Sequence, residues 1–243
     1  MTDSTRFILV DTSHPGNVGA TARAMKVMGF SDLVLVAPRL ADVLAQPEAV
    51  AMASGATDVL ERARIVATLD EALEGVTFAC ATAMTPRDFG PPTRAPRAAF
   101  AELARTGHRV AFVLGGERFG LSNEHVYACH LCLSIPTQPG YGSLNLAQAV
   151  QLLSYDWRQA LGGFPVVERT SAPAQADAGA VRGLLAHWRE TLVQIDFLDP
   201  AVPRKLMARL HRLANRAQVT VEEVHLLRGI ARQVQKKAAG RQD

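Results

Sequence analysis

Short apolar runs alternate with helix-patterned segments through the first two thirds of this chain. That alternation is the strongest constraint on how it folds. Phe7-Ile8-Leu9-Val10, Leu33-Val34-Leu35-Val36 and the stretch 110–114 are apolar at consecutive positions, not alternate ones, and 76–81 and 131–135 are so but for Thr77 and Ser134. Such strands are buried on both faces, as in parallel sheets covered by helices. Helix patterns lie between them at 49–53, 58–62 and 122–129, at 17–28 with Gly29 as its C-terminal stop, and longest at 144–161. The expected architecture is α/β, a parallel sheet with helices on both faces. Ligands then belong at the carboxyl ends of strands, in the loops after Val10, Ala81, Leu114 and Ile135.

The pattern changes at Gly162-Gly163-Phe164-Pro165, which breaks the long helix. Residues 170–180 are Ala-, Ser-, Pro- and Gln-rich with no apolar period, and three helix patterns follow. The expected organisation is a sheet domain over 1–165, a flexible linker over 166–180 and a small α-helical extension over 181–243. Residues 1–165 carry 13 Lys+Arg against 15 Asp+Glu, and residues 166–243 carry 13 against 8. A basic extension on a slightly acidic body suits a polyanion about as well as it suits plain solvation. Within it, Lys205, Arg209, Arg212 and Arg216 recur at i, i+4, i+7 and i+11, one stripe of a helix. Leu206, Leu210, Leu213 and Ala217 form a second stripe, rotated by about 100°. The expected helix docks its leucine edge and presents its basic edge to phosphates.

Composition excludes whole classes. Apolar residues make up 48% and charged residues 20% of 243, which is too apolar for a disordered chain. No apolar run approaches the ~18–20 residues that span a bilayer, so no membrane role is expected. The opening Met1-Thr2-Asp3-Ser4-Thr5-Arg6 has an acid and no apolar core, so no secretory signal is expected there. Three cysteines fit a reducing cytoplasm better than a disulfide scaffold.

The standard nucleotide and metal signals fail. No Gly-x-Gly-x-x-Gly follows the first strand. Gly115-Gly116-Glu117-Arg118-Phe119-Gly120-Leu121-Ser122 nearly spells a P-loop, but Leu121 stands where the phosphate-binding lysine belongs. Cys129-His130-Leu131-Cys132 has only Cys80 as a further cysteine, short of a structural zinc set. Buried, inert cysteines and no metal are expected.

Three other segments carry chemistry. In the first, Asn17-Val18-Gly19-Ala20-Thr21-Ala22-Arg23, Arg23 has Gly16, Gly19 and Ala20 on its own face. Either Arg23 lies along an open groove toward the anion-favouring helix start, or small residues there merely allow tight helix packing. The second is the glycine-rich turn at 115–122. The third, Ser143-Leu144-Asn145-Leu146-Ala147-Gln148-Ala149, follows Gly140 and Gly142. It reads either as a helix capped by Ser143 or as a ligand-embracing loop with Ser143 and Asn145 facing a substrate.

Together, in this order and spacing, the three segments resemble the SPOUT class of RNA methyltransferases, in its TrmH-like 2′-O-ribose branch. Val10-Asp11-Thr12-Ser13-His14, Ala53-Ser54-Gly55-Ala56 and Leu226-Leu227-Arg228-Gly229-Ile230 resemble the members that methylate nucleotide 32 of the tRNA anticodon loop. Gly116 departs from the family pattern, which has a bulkier residue. The resemblance implies a C-terminal trefoil knot, which connection rules alone would never suggest. It also implies a homodimer and S-adenosylmethionine as methyl donor, with S-adenosylhomocysteine as product. Carried over, the cofactor would be held by Thr82, Ala83, Met84, Gly115, Ile135, Gly142, Ser143 and Leu144, and catalysis assigned to Arg23, Asn17, Ser143 and Asn145. Arginine stays protonated, so its expected role is electrostatic. The nucleophile is a 2′-hydroxyl, so tRNA and not DNA is the expected partner. The same chemistry on another RNA, such as rRNA, and a non-catalytic knotted RNA-binding module stay open.

Overall fold

The computed structural model describes residues 4–83, 87–167, 172–202 and 204–240. The chain divides into two compact units, Met1–Pro165 and Val166–Asp243.

The first unit is built on seven strands: β1 (Arg6–Val10), β2 (Asp32–Val36), β3 (Arg64–Val66), β4 (Phe78–Thr82), β5 (Thr93–Arg94), β6 (Val110–Gly115) and β7 (Leu131–Leu133). Every pairing is parallel, in the order β3-β2-β1-β6-β4-β7-β5. Its helices are α1 (Pro15–Val27), α2 (Pro47–Ala53), α3 (Thr57–Arg62), α4 (Leu69–Leu73), α5 (Pro96–Leu103), α6 (Asn123–Tyr127) and α7 (Leu146–Ala160).

The continuous apolar runs become strands with two buried faces. Phe7 and Leu9 of β1 enter one core with α1, α3, α5 and α7, while Ile8 and Val10 enter a second with α4 and α6. The first core is knit by Phe7 against Phe30 and Phe112, and by Phe100 and Phe112 against Trp157, at centroid separations of 5.3–5.8 Å. Trp157 Nε1 donates to buried Thr5 Oγ1 at 2.8 Å, so the indole is buried without leaving its N–H unpaired.

Helix α1 starts at Pro15, two residues before the sequence pattern, because proline's fixed φ suits the first helical position. It stops where expected. Gly29 adopts φ +78°, and Phe30 N–H reaches back to the Met25 carbonyl at 2.9 Å. Helix α5 had no counterpart in the sequence pattern. It is short and begins in a proline-rich stretch.

The second unit contains α8 (Ala178–Gln194), α9 (Leu206–Ala217) and α10 (Val221–Ala239) around a small core of Leu184, Val219 and Val224. Thr220 and Glu223 form a reciprocal capping box at the start of α10. Within the span read as a linker, Ala176 N–H donates to the Val219 carbonyl and Val221 N–H to the Ala174 carbonyl, and α8 begins at Ala178.

Candidate active site

Two clefts stand beside one another, the first among the loops at the carboxyl edge of the sheet and the second between helices α1, α2 and α7. The first, about 360 Å³, is lined by Thr82, Ala83, Gly115, Ile135, Gly142, Ser143 and Leu144 among others. These are seven of the eight residues expected to hold the cofactor. Met84, the eighth, lies outside the described residues. The glycines are required by close approach. A Cβ on Gly115 would strike the backbone of Gly120 and Leu121, and one on Gly116 would strike the Asp11 carbonyl. Asp11 itself turns the chain out of β1 at φ 53°. The bulkier side chain of the family pattern therefore has no space at 116 in this backbone. Thr82 Oγ1 is buried and has no partner among the described residues.

The second cleft, about 620 Å³, is lined by Asn17, Arg23 and Asn145 together with His14, Gly16, Ala20 and Glu48. Three of the four expected catalytic residues thus share one cleft. Ser143 lines the first cleft instead. Arg23 is exposed. The open groove beside it is only half realised. Gly16 and Ala20 do line the cleft, but Gly19 packs against α2, where a Cβ would strike the Ala49 carbonyl. At Gly19 the small residue serves helix packing.

A chain of hydrogen bonds ties the clefts together. Asn145 caps α7, its Oδ1 accepting from Ala147 N–H at 2.9 Å and Gln148 N–H at 3.4 Å. The cap is therefore Asn145 and not Ser143. An Asn side chain at this position reaches the free N–H groups two and three residues on. Its Nδ2 donates to Asn17 Oδ1 at 2.8 Å, and Asn17 Nδ2 donates to Glu117 Oε1 at 2.8 Å. Glu117 also accepts from Ser13 N–H at 3.0 Å, Ser13 Oγ at 2.9 Å, Thr12 Oγ1 at 3.3 Å and His14 N–H at 3.3 Å. Burial alone would raise its pKa. Hydrogen bonds from Asn17, from its own backbone N–H and from Ser13 outweigh that and hold the carboxyl at about 2. Glu117 is thus a fixed anion that orients the amide of Asn17.

Sequence reasoning placed Glu117 in a turn and gave it no role. The available signal was an acid on a glycine-rich strand end opposite a βα turn with several N–H and O–H donors.

Cys80, Cys129 and Cys132 are free thiols and buried. Burial, with smaller pushes from Cys129 and Cys132, drives the Cys80 thiol far up. Burial first, then Cys132, pushes Cys129 to about 12. Among the described residues no group of His, Cys, Asp or Glu has a metal-binding arrangement, and no helix is long and apolar enough to cross a membrane.

In the second unit, Arg209, Arg212 and Arg216 stand exposed on α9, and Lys205 precedes its first turn. The expected apolar edge is shifted. Leu206 and Leu210 are half-buried and Ala214 is buried, while Leu213 and Ala217 are exposed. Positions 206, 210 and 214 follow the i, i+4, i+8 ridge, which turns Leu213 outward.

Residues 4–155 match the model of the SpoU rRNA Methylase family, and residues 179–243 match that of the tRNA methyltransferase TrmJ C-terminal domain. The chain is 42% identical to a tRNA (cytidine/uridine/adenosine-2′-O-)-methyltransferase TrmJ of Pseudomonas aeruginosa, over 99% of this chain and 97% of that protein. It is 40% identical to a tRNA (cytidine/uridine-2′-O-)-methyltransferase TrmJ of Pectobacterium atrosepticum, over 97% and 98%. The crystal structure of TrmJ from Z. mobilis superposes with a TM-score of 0.80 at 30% identity, covering 95% of this chain and 99% of that one. A probable methyltransferase from Bordetella pertussis, at 53% identity and TM-score 0.60, covers 66% of this chain and 99% of its own. The chain therefore belongs to the SpoU RNA methylase family and carries the helical C-terminal domain of its TrmJ members.

Proposed function

We propose that the protein is a tRNA 2′-O-ribose methyltransferase that uses S-adenosylmethionine and acts on nucleotide 32 of the anticodon loop. The observation that carries this reading is the Asn145–Asn17–Glu117 bridge. It couples a glycine-walled cleft to a second cleft that presents Arg23. The names of the full-length relatives, tRNA 2′-O-methyltransferases, support the substrate.

The first cleft fits the cofactor. Its buried Thr82 hydroxyl lacks a partner among the described residues, and Gly115 and Gly116 bring backbone to the wall where a side chain would intrude. Thr82, Ala83, Gly115, Ile135, Gly142, Ser143 and Leu144 would hold it, with Met84 assigned by resemblance alone. When bound, S-adenosylmethionine supplies an activated methyl group on a sulfonium.

The chain's own residues do the rest. Arg23 grips a target phosphate and stabilises negative charge developing on the 2′ oxygen. Asn17, fixed by Glu117 and Asn145, orients the ribose. Ser143 and Asn145 hold the border between the two clefts. Glu117, already an anion that accepts several hydrogen bonds, is a poor proton acceptor, so the hydroxyl proton leaves through phosphate or water.

Three further features belong to the same reading. Strand β7 lies between β4 and β5 in the sheet, an order that supports a C-terminal trefoil knot. Val27, Met52, Leu152 and Tyr155 expose apolar surface on α1, α2 and α7, which supports a homodimer through these helices. Lys205, Arg209, Arg212 and Arg216 form the tRNA-binding stripe of the second unit.

The test is to incubate the full chain with methyl-labelled S-adenosylmethionine and bulk tRNA, then map the modified nucleotide. Label in a 2′-O-methyl group at nucleotide 32 is the expected result. Transfer to rRNA alone, or to no RNA, overturns the proposal.

A further inference from the structure

Three aromatic side chains of the first unit are far more exposed than the rest. Phe89 is fully exposed, Phe119 is 84% exposed and Tyr141 is 76% exposed, while the next, Phe164, reaches 56%. They stand on the loops that follow β4, β6 and β7, which are contiguous in the sheet. All three loops open at the carboxyl edge, around the first cleft.

Each aromatic sits on a turn closed by a backbone hydrogen bond. Gly90 N–H donates to the Arg87 carbonyl at 3.0 Å, Gly120 N–H to the Gly116 carbonyl at 3.0 Å, and Tyr141 N–H to the Gln138 carbonyl at 3.2 Å. Phe89 adopts φ +59°, an unfavourable region for a bulky side chain, and Tyr127 Oη holds the same turn by donating to the Asp88 carbonyl at 2.9 Å. Strained or closed turns that push a large apolar ring into water point to an absent partner.

We propose that Phe89, Phe119 and Tyr141 form an aromatic rim on which unpaired RNA bases flanking the target nucleotide stack. This rests on the RNA-methylating function proposed above. The choice of bases follows from the chemistry of the rim. Arg87 and Arg118 line the cleft beside Phe89 and Phe119, so planar apolar surface alternates with positive charge along the same turns. A single-stranded nucleic acid offers the complement, flat bases on an anionic backbone. Phe89 and Tyr141 do not line the cleft itself, so a cofactor confined there leaves them uncovered. Turns already closed lose little freedom on binding, which makes stacking more effective. The three residues are positioning residues: they hold the loop open so that one ribose reaches the second cleft.

The test compares the full chain with Phe89→Ala, Phe119→Ala, Tyr141→Ala and the triple variant. The substrate is an unmodified tRNA transcript, with S-adenosylmethionine affinity followed by calorimetry. Each single variant should raise KM for tRNA at least about fivefold, the low end for loss of one base stack. The triple variant should raise it further, and a Phe89→Ala/Tyr141→Ala double variant, both outside the cleft, should keep cofactor affinity within about twofold of the unaltered protein. Phe119→Trp should restore binding and Phe119→Leu should not, since leucine keeps the apolar surface and loses the ring. Unchanged KM in the triple variant overturns the inference. Equal rescue by leucine and tryptophan also overturns it, as does a parallel loss of cofactor affinity in the Phe89→Ala/Tyr141→Ala double variant. If the unaltered protein transfers no methyl group to tRNA, the underlying function fails and the rim with it. Transfer by the unaltered protein alongside indifferent variants overturns the rim alone.

Discussion

Asn145 Nδ2 donates to Asn17 Oδ1 at 2.8 Å, across 128 positions of sequence. With this bond the residue that caps α7 also fixes the amide of the residue in the first turn of α1. The helix that follows the last strand and the helix that follows the first are thereby registered at the site, and one side chain has two separable duties.

Those duties can be separated by substitution. Asn145→Asp keeps an oxygen for the cap and loses the donor to Asn17. It should cost little stability and lower methyl transfer at least about tenfold. Asn145→Ala loses both and should also destabilise the protein by about 1 kcal/mol, the usual cost of a lost N-cap. Chemical denaturation and single-turnover kinetics on both variants check this. Equal stability in the two variants contradicts the capping role.

The acid dependence of stability should carry the signature of Glu117. Its carboxyl is held at about 2, below the ordinary value of 4.5, so the folded state favours the anion. That contribution is fully present above about pH 4.5 and is lost as pH falls toward 2. Glu117→Gln should therefore lower the melting temperature at neutral pH and flatten its dependence between about pH 4.5 and 2. Parallel curves for the two proteins over that window would contradict the assignment.

Arg23 is exposed and, among the described residues, makes no side-chain hydrogen bond or ion pair. Arg23→Ala should leave melting temperature and cofactor affinity unchanged and cut methyl transfer by at least ~10²-fold, the low end for a positioned catalytic group. Arg23→Lys should rescue poorly, because an ammonium lacks the planar fork that grips phosphate. Turnover near normal in the alanine variant removes Arg23 from the mechanism.

The stripe on α9 should be read by salt. Replacing Arg209, Arg212 and Arg216 with glutamine should weaken tRNA binding and reduce the slope of log affinity against log salt by up to about three, roughly one for each phosphate no longer neutralised. Cofactor affinity should not move. An unchanged slope assigns the stripe to solvent.

Much of this molecule was legible in its order of residues. Runs such as Phe7-Ile8-Leu9-Val10 announce strands with two buried faces, because only a sheet covered on both sides removes consecutive apolar residues from water. Gly29 marks a helix end because the chain there needs a positive φ. The spacing of Asn17 and Arg23, and of Ser143 and Asn145, placed each pair on its own turn. What one-dimensional order could not decide is which turns meet. Neither the bond from Asn145 to Asn17 nor the convergence of Thr12, Ser13, His14 and Asn17 on Glu117 is local, since strand order in the sheet alone brings residue 117 beside residue 13. Gly19 suits a groove for Arg23 and tight helix packing equally in sequence, and the structure gives its space to α2, since a missing side chain does not say what fills the space. Leu213 looked like core and faces water, because the edge a helix buries is chosen by the neighbour that packs on it. Sequence determined most of the elements, though not β5 or α5, and the inventory of chemical groups. The pairing of β1 with β6, and the packing it imposed on the loops, decided which of those groups became a site.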